Sequence, residues 1–304
     1  MLFTQFSRAG RPLRESTLFI GVILVCLFLL VAAVMENPRP VRTTIYSVYR
    51  EWARAYYGYK TRDWLVLDGQ HFYVKYRPQD QNVAKLVLDT AEMYYRPVSQ
   101  NLAFVPKDKV LIAIYPTREE LSKSFGWSAD ESAMGVYWAG VIRVLSPNDW
   151  LQANNRQEFE SAFKSGGPMA HEFAHLVVDY LTGGNYPRWL TEGIAQYEER
   201  KLTGFTLDKP ENIRAGDLYA LGDMDLSFDS LPDQNLSYWE SLSAVDFMVK
   251  RVGMDGVKDV LAELRHGKDI KRSIESVMGI SFAQFEKEFR SWADAKLDKS
   301  MTAA

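Results

Sequence analysis

The chain has 304 residues, 47% of them hydrophobic and 25% charged, with 36 basic against 39 acidic side chains. These values exclude collagen-like, disordered and disulfide-framed classes. A net charge of -3 lacks the basic excess of a nucleic-acid binder, so no nucleic-acid partner is expected. The single cysteine, Cys26, leaves neither a disulfide nor a thiolate metal site.

Cys26 lies in the longest apolar run, Leu18 to Met35, which carries no charge. As a helix at 1.5 Å per residue it is about 27 Å long, against a hydrocarbon core of roughly 30 Å. Arg8, Arg11 and Arg14 precede it, which favours a cytoplasmic N-terminus. The expectation is a short cytoplasmic segment (1–17), a single-pass transmembrane signal-anchor (18–35) and an extracytoplasmic body. The alternative is a signal peptide cleaved near Val31-Ala32-Ala33, which would secrete the same body.

Residues 36–62 read as a spacer with an amphipathic stretch. Trp64-Leu65-Val66-Leu67, Asp68-Gly69 and His71–Tyr76 form a hairpin signal. Residues 82–103 have helical spacing with Pro97 inside. Val110–Tyr115 is a continuous apolar run that predicts a central strand. A short helix is expected around 119–125, then a second hairpin over Gly135–Trp138 and Val141–Leu145. From 156 onward the pattern is helical, with a loop-rich section over 201–236 and helices near 237–252, 254–265, 268–278 and 281–297. The order implies an α+β fold. Its parts would be a catalytic subdomain over 63–200 and a helical C-terminal subdomain over 201–304.

The chemistry concentrates in Gly167–Leu181. Pro168 suits a helix start and Gly183-Gly184 a helix end. His171 and His175 are four apart, so both imidazoles leave one side of a helix and can reach one ion at about 2.0–2.1 Å. Glu172 is rotated about 100° from His171, beside such an ion without being forced to bind it. A carboxylate there can take a proton from an activated water.

A catalytic zinc site needs a third protein ligand and an open position. Glu192, in Trp189-Leu190-Thr191-Glu192-Gly193-Ile194-Ala195, lies beyond a reversal at Gly183–Pro187, and a returning helix would bring it level with the histidines. Gly193 inside a helix costs about 1 kcal/mol against alanine. Close approach of the two helices around the ion would account for it.

These segments resemble the gluzincins, the peptidase-MA-like superfamily that includes thermolysin-type zinc peptidases and membrane-associated aminopeptidases. His171–Tyr180 is similar to their active-site helix, and Thr191–Ala195 to their glutamate helix. The resemblance implies a zincin-like mixed sheet, one zinc ion held by His171, His175 and Glu192, and Glu172 as general base. Two departures stand out. Gln196 occupies the place of an aspartate that follows the ligand glutamate in thermolysin-type enzymes, and the aminopeptidases' glycine-rich substrate motif is absent. Asp179 matches an aspartate of the thermolysin pattern and either orients a ligand, caps backbone or is simply a solvated carboxylate.

The expected function is a zinc-dependent peptidase acting on peptide or protein substrates, tethered through its N-terminal helix. The alternative is a catalytically inactive, membrane-anchored assembly protein on the same scaffold, for which Gln196 speaks. Val136–Leu145 is expected to offer a peptide an edge strand. Related enzymes stabilise the oxyanion with a histidine or tyrosine from the later part of the chain. Tyr238 is the preferred candidate here and His266 the other. His71 reads as structural, and Tyr137 and Trp138 as cross-strand packing residues that border on substrate contact.

Overall fold

The computed structural model describes residues 25, 38–128, 133–208, 210, 213 and 215–301. The expected membrane segment 18–35 lies outside them except for Val25. Among the described residues no helix is long and apolar enough to cross a membrane. The chain divides into two units, Met1–Arg42 and Thr43–Ala304. The first is described only at Val25 and where helix α1 (Pro38–Lys60) begins.

From Thr43 onward α1 is part of the folded body, so most of the stretch read as a spacer with an amphipathic segment is a helix seated on that body. Its inward side is polar: Arg50 reaches Asp179, the Tyr57 hydroxyl lies 2.8 Å from that of Tyr115, and Lys75 donates to the Thr61 carbonyl just beyond the helix. A search for an apolar inward stripe misses a helix seated by hydrogen bonds.

Strands β1 (Leu65–Asp68) and β2 (Phe72–Tyr76) form the first expected hairpin, with Leu65 opposite Tyr76. Helix α2 (Gln81–Asn101) then crosses to β3 (Val110–Tyr115), which runs parallel to β2 and is buried at all six positions. Helix α3 (Arg118–Phe125) is capped by the Thr117 side chain and ended by Gly126 in the left-handed region. Strands β4 (Gly135–Trp138) and β5 (Val141–Leu145) follow as the second hairpin. The sheet order is β1-β2-β3-β5-β4, so β3 is central as expected. Only β4 is an edge. Strand β5 pairs with neighbours on both sides, so the expected edge segment 136–145 is correct for its first half alone.

The remaining elements are helical: α4 (Pro147–Trp150), α5 (Arg156–Gly166), α6 (Met169–Thr182), α7 (Arg188–Thr203), α8 (Leu221–Leu226), α9 (Gln234–Arg265), α10 (Ile270–Met278) and α11 (Phe282–Met301). The two helices expected over 237–252 and 254–265 are present: α9 breaks between them at Gly253, whose φ of 70° is non-helical. Helix α6 is buried on nearly every side, with Phe173 against Phe72 and Tyr95 at ring separations of 5.3 and 5.4 Å. The division expected at residue 200 falls inside α7. One apolar core joins Phe72, Phe173, Ile194, Val245 and Phe289, so the C-terminal helices complete the core around α6 and α7.

Candidate metal centre

Helix α6 ends where Gly183 and Gly184 adopt φ of 64° and 76°, the left-handed conformation that glycine takes at least cost. The reversal sends α7 back alongside α6. It brings together the three residues singled out by their spacing. The Nε2 atoms of His171 and His175 are 3.0 Å apart, and Glu192 Oε2 lies 3.4 Å from the first and 3.5 Å from the second. Three donors about 2.0–2.1 Å from one tetrahedral centre would be roughly 3.3 Å apart, so the spacing fits a small divalent ion. Glu192 is buried, and its Oε2 accepts no hydrogen bond. A buried acceptor left without a partner costs about 1–3 kcal/mol, a cost that a cation at this point removes. Two imidazoles and one carboxylate form the donor set of a catalytic zinc site with an open position.

The far nitrogen of each imidazole is held from outside. His175 Nδ1 is 2.7 Å from Thr191 Oγ1, and His171 Nδ1 is 3.1 Å from Glu199 Oε2. These contacts fix the rings with Nε2 toward the centre. Glu192 Oε1 accepts from Arg188 Nη2 at 3.0 Å. Burial works against a charged imidazole at His171, but Glu192 and Glu199 outweigh it and hold its pKa well above the ordinary value. For Glu192 burial raises the pKa, while His175 and Arg188 pull it well below the usual range. The field at this point favours positive charge.

Glu199 and Thr191 were missed from the sequence. Glu199 lies two turns beyond Glu192, on the same side of α7, and that spacing was the available signal. Gln196 does not orient a histidine. Its amide donates to the Tyr238 carbonyl at 2.9 Å and to the Glu192 carbonyl at 3.3 Å. The glycine at 193 also has another reason than expected. A Cβ there would overlap the Ser241 carbonyl and the Val245 side chain, so the close approach is to α9 and not to α6.

Glu172 is buried beside the histidines, and its Oε2 accepts the Tyr137 backbone N–H at 2.6 Å. Burial is the largest influence on its carboxyl and raises the pKa, with His175 and His171 opposing. A cleft of about 890 Å³ reaches this point, lined by Tyr137, Trp138, His171, Glu172, Arg188 and Tyr238 among others. A smaller lobe of about 180 Å³ shares Gly135, His171, Glu172 and Tyr238 with it and adds Met134, Phe205 and Leu207.

Tyr238 sits one turn into α9, edge-on to Phe228, with its hydroxyl paired to Arg188. The negative charge of Glu192, followed by burial, holds the phenol protonated well above its ordinary range. His266 caps the far end of α9, is exposed and lines neither lobe.

Asp179 reaches neither histidine. It is fully buried and receives Arg50 Nη1 at 3.0 Å, the Tyr137 hydroxyl at 2.7 Å and the Tyr186 hydroxyl at 3.4 Å. Tyr137 therefore binds α6 twice, through its phenol at Asp179 and its N–H at Glu172. Trp138, 57% exposed, turns into the cleft. His71 is structural as expected, stacked on Tyr95 and paired with Glu92.

Residues 159–295, the stretch from α5 into α11, match the Peptidase MA superfamily. Among solved structures the chain is similar to Legionella pneumophila aminopeptidase A in complex with aspartic acid. The identity is 12% and the TM-score 0.42, over 73% of this chain and 26% of that one. It is also similar to a two-domain M1 zinc metallopeptidase mutant bound to L-arginine, at 14% identity and a TM-score of 0.37, over 75% of this chain and 50% of that one. The chain thus spans about a quarter and a half of these two proteins. No curated protein matches it.

Proposed function

We propose that this chain, whose residues 159–295 match the Peptidase MA superfamily, is a zinc-dependent peptidase held at a membrane with its catalytic body outside the cytoplasm. The observation that carries the reading is the buried Glu192 Oε2, which accepts no hydrogen bond and faces two imidazole nitrogens, with the Glu172 carboxylate in the same cleft.

Zinc at His171, His175 and Glu192 would supply Lewis acidity toward a carbonyl oxygen and toward water. Glu172 accepts the proton of the attacking water and delivers it to the leaving amine. Its bond to the Tyr137 N–H keeps the carboxylate aimed into the cleft. The Tyr238 phenol donates to the oxygen that gains charge as the carbonyl becomes tetrahedral, with Arg188 beside it. The substrate lies extended along the outer edge of β4, where Trp138 and Met134 give apolar contact. The anchor rests on the uncharged run Leu18–Met35 and the arginines before it.

The alternative of an inactive assembly protein drew on Gln196 as a neutral stand-in for a histidine-orienting carboxylate. Glu199 fills that office, which removes its support. Metal analysis of the purified full chain followed by digestion of a broad peptide library tests the proposal. About one zinc per chain with cleavage is expected. Zinc without any cleavage would favour the assembly protein.

A further inference from the structure

Helix α1 is amphipathic in the reverse sense. The side turned to the protein carries Thr43, Ser47, Arg50, Arg54 and Tyr57, bound by hydrogen bonds and ion pairs. The side turned outward carries Ile45, Val48, Tyr49, Trp52, Tyr56 and Tyr59, between 42% and 67% exposed. Tyr49 packs on Trp52, and Trp52 stacks on Tyr56 at 5.3 Å. The stripe runs for about 21 Å at 1.5 Å per residue. No other element among the described residues displays so many exposed large apolar side chains. A surface helix normally does the opposite, so this face is built for a non-aqueous neighbour.

We infer that the outward face of α1 lies on the surface of a lipid bilayer, with its aromatic rings at headgroup depth. Three observations select lipid over a protein partner. The uncharged run Leu18–Met35 ends only two residues before Pro38, so a chain anchored by that run starts α1 at the bilayer boundary. Four of the six outward residues are Tyr or Trp, whose apolar bodies and polar tips suit the interface. The helix carries five basic residues against one acidic one in a chain of net charge -3, and Arg42 and Lys60 are exposed. Anionic headgroups attract such a segment. The turn at Gly140, directly after β4, packs on Arg50 and Arg54 of the same helix. A bilayer under α1 would therefore hold the cleft's edge strand near the membrane and favour substrates displayed there.

The inference rests on the anchor in the proposed function, and the two are tested separately in one preparation. The full chain with Cys26→Ser carries a bimane label at Val48→Cys or Tyr56→Cys, with Ser161→Cys on α5 as control. It is reconstituted into phosphatidylcholine–phosphatidylglycerol vesicles, some containing spin-labelled lipid. Flotation with the vesicles reports the anchor. At positions 48 and 56 the inference expects quenching by the spin-labelled lipid and loss of most quenching by aqueous iodide, while position 161 keeps iodide quenching. Flotation with unchanged iodide access at 48 and 56 would overturn it and leave the anchor standing. Iodide protection without lipid quenching would also overturn it, in favour of a second copy or another protein on this face. Failure to float would overturn the anchor and this inference together, with zinc content and peptide cleavage unaffected.

Discussion

His171 Nδ1 lies 3.1 Å from Glu199 Oε2, two helical turns beyond the glutamate that faces the other nitrogen of the same ring. One face of α7 thus addresses both sides of one imidazole. Glu199→Gln keeps a polar partner for the ring but loses the charge. Outer contacts of this kind contribute about 10–100-fold to metal affinity. Chelator competition should show zinc released in that range with an unchanged circular dichroism spectrum. Unaltered zinc affinity would make Glu199 a bystander.

Asp179 and Arg50 form a buried pair that ties α1 to the metal-site helix. The Arg50 guanidinium also lies 3.5 Å from the centre of the Tyr180 ring. Removing one partner leaves an uncompensated buried charge, so Arg50→Met should cost about 3–5 kcal/mol in chemical denaturation. The double variant Arg50→Met with Asp179→Asn should recover part of that loss. Strict additivity of the two single effects would contradict the coupling.

Glu240 is fully buried, accepts the Tyr219 N–H at 3.1 Å and leaves Oε1 without a partner. Burial raises its pKa from 4.5 to about 8. Between those values the folded state holds a proton that the unfolded state releases. This contribution to stability is full below 4.5 and is lost as pH rises through about 8. The Tm of the wild type should therefore fall across this window, and Glu240→Gln should fall less. Parallel curves for the two proteins would contradict the assignment.

Tyr238→Phe removes one hydroxyl from the cleft and leaves the ring packed on Phe228. Loss of a donor to the developing oxyanion should lower kcat by about 100-fold or more with zinc content unchanged. His266→Ala should have no effect, because His266 lies exposed at the other end of α9. The reverse pattern would transfer the role to His266.

Much of the site was legible because its signals are local. Two histidines one turn apart, a base between them and a glutamate beyond a glycine reversal need only helix geometry. Hairpins and the central strand were legible for the same reason, through turn residues and unbroken apolar runs. What escaped depends on contacts between distant parts of the chain. Glu199 acquires its role from the ring across α6, and Gly193 from the Ser241 carbonyl on α9. The seating of α1 on the body was hidden because its inward face is polar, which defeats any reading in which burial means apolar. Asp179 shows the same limit: its spacing matched a ligand-orienting aspartate, while its partners Arg50 and Tyr137 lie 129 and 42 residues away.

The central claim is that Glu172 moves the proton while His171, His175 and Glu192 hold the metal. Glu172→Gln preserves the shape and the Tyr137 N–H contact but removes the basic carboxylate. Zinc content and peptide cleavage measured side by side on wild type and Glu172→Gln test this most directly. The account predicts equal zinc and cleavage lowered by about 1,000-fold, within the 10²–10⁴-fold that a positioned base commonly contributes. Glu172→Gln with full zinc and near-wild-type turnover would contradict it.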